Sequence, residues 1–454
     1  MKELIEKQKS FFDTNQTKSI SFRIEQLRKL KKLLIDNEQR LNNAIYDDFR
    51  KSAFDNYTCE IAIIYNEIDH AIKNVRKWST WKSVRTNLIN FPAKSYIIPE
   101  PYGVSLVIGA WNYPYQLSIV PSIAAIAAGN TVILKPSEIP VKTSNSMAEI
   151  INANYDPAFF RVVEGGVAET QELLNQKFDK IFFTGSIPVG RMVYQAAAKN
   201  LTPVTLELGG KSPAFILDDT HMEMYVKRLV WAKFLNAGQT CVAPDYVVLH
   251  HSLKKRFLEQ IIKEIQKERF SIDNQNYVQI INENNMKRLS LLIDKEKVTW
   301  GGSIDLQNRT IEPTIMENVT FKDPVMQDEI FGPILPVITY ESLDEILAII
   351  KKREKPLACY LFTSNYIIKN RILKELSFGG GAVNDAVMHI GNGNLPFGGV
   401  GESGIGSYHG EYGFKTFSHF KSVLEKPVWF ESDAKYFPHT KFKKQFLKLL
   451  FRLS

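Results

Sequence analysis

The stretch Val104-Ser105-Leu106-Val107-Ile108-Gly109-Ala110-Trp111-Asn112-Tyr113-Pro114 starts as a nearly unbroken apolar run and stops at Gly, Asn and Pro. A short run this apolar reads as a strand covered on both faces, the condition of a parallel sheet. The pattern recurs at residues 131–134, 161–163, 181–183 and 204–206, each bounded by Gly, Pro, Ser or Asn. Helical stretches at 116–128, 169–175 and 189–199 alternate with these runs. Such alternation predicts β-α-β units. A second series follows Gly209-Gly210, with strands at 214–217, 246–249, 334–339, 359–362 and 381–383 and helices at 223–235, 253–265 and 343–353. The expected fold class is α/β, with two parallel-sheet α/β domains meeting near residues 207–211. Upstream, Arg23, Leu27, Leu30, Leu33 and Leu34 step by three and four, which predicts two or three surface helices between residues 10 and 78.

The 454 residues are 44% hydrophobic and 23% charged, the composition of a globular chain with material for more than one core. The N-terminus lacks an apolar signal region, and no run approaches the ~20 apolar residues of a membrane span. Cys59, Cys241 and Cys359 lie far apart, so neither a disulfide framework nor a zinc site is expected, and the cytoplasm is the expected compartment. The formal charge is +8, but residues 434–454 hold six basic side chains and no acid. The body is therefore nearly neutral, unlike a nucleic-acid binder with a basic face.

Several residues carry chemistry. Cys241 ends Gly238-Gln239-Thr240-Cys241, a loop between a helix and a strand, where a thiol can be exposed with backbone N–H groups beside it. A lone cysteine is also a common inert core residue. Glu207, at a strand end before Leu208-Gly209-Gly210, suits a general base, or is a solvated strand-end acid. Asn112 has an amide suited to an oxyanion because it cannot lose its donor by ionisation, though an Asn shortly before Pro also marks a turn. Gly185 and Ser186, with Gly190, form a strand-turn-helix whose N–H groups can hold a pyrophosphate; the Gly-x4-Gly spacing alone is a weak signal. Lys135 and Glu138, in Lys135-Pro136-Ser137-Glu138, suit a ribose. Glu329 and Phe331, in Glu329-Ile330-Phe331-Gly332-Pro333, suit a second ribose and a nicotinamide. A surface acid and a core Phe are the alternatives there.

These motifs, with Pro396-Phe397-Gly398-Gly399, occur in one order that resembles the aldehyde dehydrogenase superfamily from about residue 21 to 420. The stretches 239–246 and 398–410 are similar to its class 3 and fatty aldehyde dehydrogenase branch. One departure is Pro188 inside the glycine turn, tolerable in a helix's first turn.

The resemblance implies NAD(P)-dependent oxidation of an aldehyde to the acid. Cys241 would form a thiohemiacetal and then a thioester, Asn112 and the Cys241 N–H would hold the oxyanion, and Glu207 would activate water, with Glu329 a rival base. It implies a cofactor domain (1–80 and 103–207), a catalytic domain (208–398), oligomerisation segments (81–102 and 399–425) and a basic tail (426–454). NAD is expected over NADP because Glu138 would repel a 2′-phosphate. Tyr113 and Trp231 are expected to line an apolar channel, with His409 at its mouth; core packing is the alternative for each. A homodimer is expected, with residues 87–102 as a hairpin arm. Acyl transfer to coenzyme A and a non-catalytic descendant are the competing functions. In the tail, Phe442, Phe446, Leu449, Leu450 and Leu453 share one helical face opposite Lys441, Lys444, Lys448 and Arg452, which suggests peripheral contact with the inner membrane face. Packing on the dimer partner is the alternative.

Overall fold

The computed structural model describes residues 1–453, arranged around two large sheets. The first sheet runs in the order Gly404–Ile405, Val204–Glu207, Lys180–Thr184, Val104–Ile108, Thr131–Lys135, Phe160–Val162. It is parallel except where Gly404–Ile405 pairs antiparallel with Val204–Glu207. Its three central strands are buried along their whole length, as expected for strands covered on both faces. The second sheet runs Val298–Trp300, Thr314–Met316, Ile334–Tyr340, Tyr246–His250, Pro213–Ile216, Ala358–Phe362, Gly380–Val383, with only Val298–Trp300 antiparallel. The α/β class with parallel sheets is thus the observed one.

The N-terminal helices are surface helices with one buried stripe: Leu27, Leu30, Ile45, Ile61, Ile64 and Ile68 are fully buried, while Arg28, Lys29, Lys32 and Ile35 face solvent. Their three- and four-residue spacing marks a stripe that packs, together with the almost wholly buried helix Pro114–Ala128, against the first sheet. That central helix ends at Gly129 in the left-handed region. There the buried Arg23 guanidinium donates to the carbonyl oxygens of Ala127 (3.1 Å) and Thr17 (2.8 Å). An arginine in an apolar stripe therefore serves as a C-terminal helix cap.

A third, antiparallel sheet joins Lys82–Val84, Lys94–Pro101 and Ser418–Glu425. The arm differs from a hairpin within 87–102. The hairpin begins at Lys82, and the main partner of Lys94–Pro101 is the distant strand Ser418–Glu425, with eight paired residues. Among the described residues no helix is long and apolar enough to cross a membrane.

Candidate active site

Every chemistry-bearing loop leaves the C-terminal edge of the first sheet or enters the N-terminal edge of the second. The first-sheet strands end level with one another, since Ile108 pairs with Lys135 and Phe183, and Thr184 with Glu207. Asn112, Glu138, Gly185 and Gly209 therefore follow from a common edge, the usual ligand side of a parallel sheet. Residues 208–212 cross to the second sheet. There Cys241 and Glu329 precede the adjacent parallel strands Tyr246–His250 and Ile334–Tyr340.

The cysteine loop is strained and stapled. Asn236, Ala237 and Gly238 lie in succession in the left-handed region, at φ 55°, 52° and 71°. The two non-glycine positions cost of order 1–3 kcal/mol each and persist only when the surroundings over-determine them. Gln239 supplies much of that determination: its amide donates to the Asn236 and Gln279 carbonyls (both 3.1 Å) and accepts from the Ile281 N–H (3.0 Å). A Cβ at Gly238 would meet the Gly332 carbonyl oxygen at 2.2 Å, so only glycine lets the cysteine loop touch the loop carrying Glu329.

Asn112 is buried, and its Nδ2 donates to the Gln239 carbonyl (3.1 Å), which leaves its second N–H uncommitted beside the cysteine loop. Its own backbone oxygen accepts from Asn236 Nδ2 (3.1 Å). Tyr113 joins the same contact through its hydroxyl, 2.7 Å from Thr240 Oγ1.

The charges around the thiol are telling. Glu207 is 2% exposed, and neither carboxylate oxygen has a hydrogen-bond partner. Burial holds its carboxyl well above the usual range. Burial, then Asp245, pushes Glu329 up to about 8. The half-buried Cys241 thiol is pushed up to about 12 by burial and then by Glu329 and Glu207, against hydrogen bonds from the Val242 and Cys241 N–H groups. Thiol and carboxyls thus form one electrostatic cluster. Glu329 lies so close over Gly209 that a Cβ there would meet its Oε2 at 2.2 Å. The loop is tied down by Asp245, which accepts from the Ile330 N–H (3.0 Å) and pairs with Lys211. Lys211 in turn donates to the Val325 and Asp328 carbonyls (2.9 and 2.8 Å). Phe331 has φ 50° and meets Trp111 edge-on, ring centres 5.3 Å apart.

A second group lies along the first sheet's edge. Lys135 is buried, with Nζ 2.8 Å from the Pro136 carbonyl and 3.3 Å from the Glu138 carboxylate, which faces solvent. Helix Ile187–Ala198 begins after Ser186 with no side-chain cap, so its first N–H groups are available to an anion. A Cβ at Gly190 would meet Leu208 at 2.6 Å, so this glycine seats the helix on the sheet. An uncapped helix start, a buried ammonium beside an open carboxylate, and a carboxyl beside an aromatic pair fit a dinucleotide.

The expected substrate residues differ in exposure. Trp231 is 43% exposed on helix Met222–Phe234. His409 takes the core-packing alternative: it is 3% exposed, 3.4 Å from Glu67, with Phe397 tilted and Tyr408 edge-on against its ring. The helix start at Gly410, whose N–H donates to Glu67 (3.1 Å), draws it inward. Sequence reasoning missed Lys51, Glu60, Gln239, Lys211 and Asp245. Gln239 and Asp245 lie within quoted stretches and Lys211 follows Gly210, and that placement was the available signal.

A thiol beside a buried carboxyl, an amide donor and a dinucleotide-compatible edge fit an oxidoreductase. Residues 1–423 match the family model described as "Aldehyde dehydrogenase family", so the chain belongs to the aldehyde dehydrogenase family, in its class 3 branch, and is an NAD(P)-dependent enzyme. It is 46% identical over 449 residues to a 4,4'-diaponeurosporen-aldehyde dehydrogenase of Staphylococcus aureus, covering 98% of this chain and 97% of that one. It is 42% identical to a dimeric NADP-preferring aldehyde dehydrogenase of Rattus norvegicus, covering 95% and 96%. A solved substrate-bound Staphylococcus aureus AldH superposes with a TM-score of 0.96 at 45% identity, covering 99% of both chains.

Proposed function

We propose that this aldehyde dehydrogenase converts a lipophilic aldehyde to the free acid through a covalent adduct on Cys241. The observation that carries this reading is Glu207: a buried carboxyl with both oxygens unpartnered, in the electrostatic reach of the thiol. An apolar site rarely tolerates such a group without a task for it. Its raised proton affinity suits it to take a proton from water.

In the proposed sequence the Cys241 sulfur loses its proton to solvent water and attacks the carbonyl carbon. The new oxyanion accepts hydrogen bonds from the Asn112 amide and the Cys241 N–H. What a bound nicotinamide dinucleotide supplies is the acceptor for the hydride that leaves this carbon. A thioester on Cys241 remains, and Glu207 draws a proton from the water that attacks it and passes that proton to the departing sulfur, releasing acid and thiol. Glu329 with Phe331 serves the nicotinamide end. Lys135 and Glu138 serve the adenosine ribose, and the turn at Gly185 and Ser186 the pyrophosphate. On this reading the first sheet is the cofactor domain, the second the catalytic one, and NAD is preferred because Glu138 would repel a 2′-phosphate. Transfer to coenzyme A is disfavoured by the same carboxyl, placed to activate water.

The lipophilic substrate class is supported by the relative named for 4,4'-diaponeurosporen-aldehyde. A homodimer is supported by the relative named as dimeric and by exposed Val423 and Leu424 on the third sheet. The tail helix Lys441–Leu453 leaves Phe442, Phe446, Leu449 and Leu453 exposed, which supports docking of a basic amphipathic helix on an anionic membrane face. The test of the reaction is Cys241→Ala, which should abolish NADH production while NAD still binds. Turnover near wild type would reject it, and a panel of aldehydes of increasing chain length would identify the class.

A further inference from the structure

Behind Asn112 lies a charged pair that the reaction above does not use. Lys51 is 1% exposed and Glu60 0%, and Lys51 Nζ sits 2.7 Å from Glu60 Oε1. Burying two charges costs more than their attraction returns unless further hydrogen bonds complete the geometry. Here they do. Glu60 Oε2 accepts from the backbone N–H groups of Tyr115 (2.8 Å) and Gln116 (3.2 Å), the first turn of helix Pro114–Ala128. A carboxylate at that position also complements the helix dipole. The ammonium donates to the Asn112 backbone oxygen (3.3 Å) and lies over the Tyr113 ring, 4.1 Å from its centre. The local fold is bent to reach this arrangement. Arg50, before Lys51, is left-handed, and Tyr57–Ile61 is a wide π turn in which consecutive Glu60 and Ile61 both face inward.

The five residues 112–116 are thereby gripped from one side by a single ion pair. On the other side Asn236 holds the Asn112 backbone oxygen and Gln239 accepts from the Asn112 side chain. We propose that Lys51 and Glu60 are positioning residues for the oxyanion donor: they fix the Asn112 backbone so that its free amide N–H points where the aldehyde oxygen becomes charged. This rests on the oxyanion role given to Asn112 above. Neither residue touches substrate, and their effect passes through Asn112.

Loss of one partner alone strands the other charge, so the test uses the neutral pair Lys51→Met/Glu60→Gln, in which the Gln oxygen still accepts from the helix N–H groups. The full chain is assayed with saturating NAD and a short soluble aldehyde, with Tm and NAD affinity measured alongside. The pair should lower kcat about tenfold to hundredfold, the range for small misplacement of a catalytic group, with NAD affinity within about twofold of wild type. In an Asn112→Ala background the same pair should cost less than about twofold, because the group it positions is gone. Lys51→Arg, which keeps the cation, should retain most of the rate, and the neutral pair Lys51→Gln/Glu60→Gln serves for the cycle if the Met/Gln pair does not fold. A full multiplicative loss in the Asn112→Ala background, or wild-type kcat in the pair, overturns the proposal. An unchanged kcat in Asn112→Ala alone would remove the oxyanion role itself, a separately recognisable failure.

Discussion

Replacing Glu207 by Gln separates the two halves of the reaction. The side chain is 2% exposed with two unpartnered oxygens, so the swap is nearly isosteric and breaks no hydrogen bond. Folding should survive, and above neutral pH the variant should be the more stable, since Gln carries no charge to bury. The kinetic effect is specific. Loss of a positioned general base costs about 10²- to 10⁴-fold, or about 3–5 kcal/mol of barrier, and falls on thioester hydrolysis, after the hydride has left. Stopped-flow fluorescence should therefore show a burst of one NADH per active site followed by a steady state slowed by that factor. If Glu329→Gln gives the burst and Glu207→Gln does not, the base is Glu329 and the reading of the orphaned carboxyl is wrong.

Other consequences are open to simpler measurements. Glu138→Gln should raise kcat/KM with NADP, because it removes the charge facing a 2′-phosphate; equal use of NAD and NADP by wild type would defeat this. Glu329, pushed up to about 8, keeps its proton in the folded protein after the unfolded chain has released it near 4.5. Its contribution to stability is therefore full below pH ~4.5 and is lost as pH rises through about 8, at no more than ~1.4 kcal/mol per pH unit. Melting curves should show Glu329→Gln gaining on wild type from pH 5 to 8; a constant difference would mean that the carboxyl is not shifted. Vesicles with anionic lipid should float the full chain at low salt, and deletion of residues 441–454 should release it without loss of activity on a short aldehyde; absence of flotation would end the membrane reading.

The two-sheet architecture was legible because fully buried strands announce themselves as apolar runs, and those between Val104 and Glu207 fall within a residue or two of the expected positions. The N-terminal helices were legible as well, since Leu27, Leu30 and Leu34 form the buried stripe of a helix whose other face is exposed, but the role of Arg23 as a helix cap was not, because its acceptor at Ala127 lies across the fold. The strands Val298–Trp300 and Thr314–Met316 were not anticipated, being only three residues each. Residues in glycine-marked loops could be singled out. Lys51 and Glu60 could not: the pair depends on a π turn and a left-handed Arg50, and its partner backbone lies 55 to 61 residues away. For His409 the sequence left a channel mouth and core packing both open, because its contact with Glu67 comes from across the fold.

The central claim is a covalent bond to one sulfur, and mass spectrometry tests it most directly. Glu207→Gln enzyme mixed with NAD and an aldehyde, quenched in acid during the burst, should gain the mass of one acyl group per chain, carried by the peptide that contains Cys241. Acylation on Cys59 or Cys359, or no adduct while NADH is formed, would contradict the account.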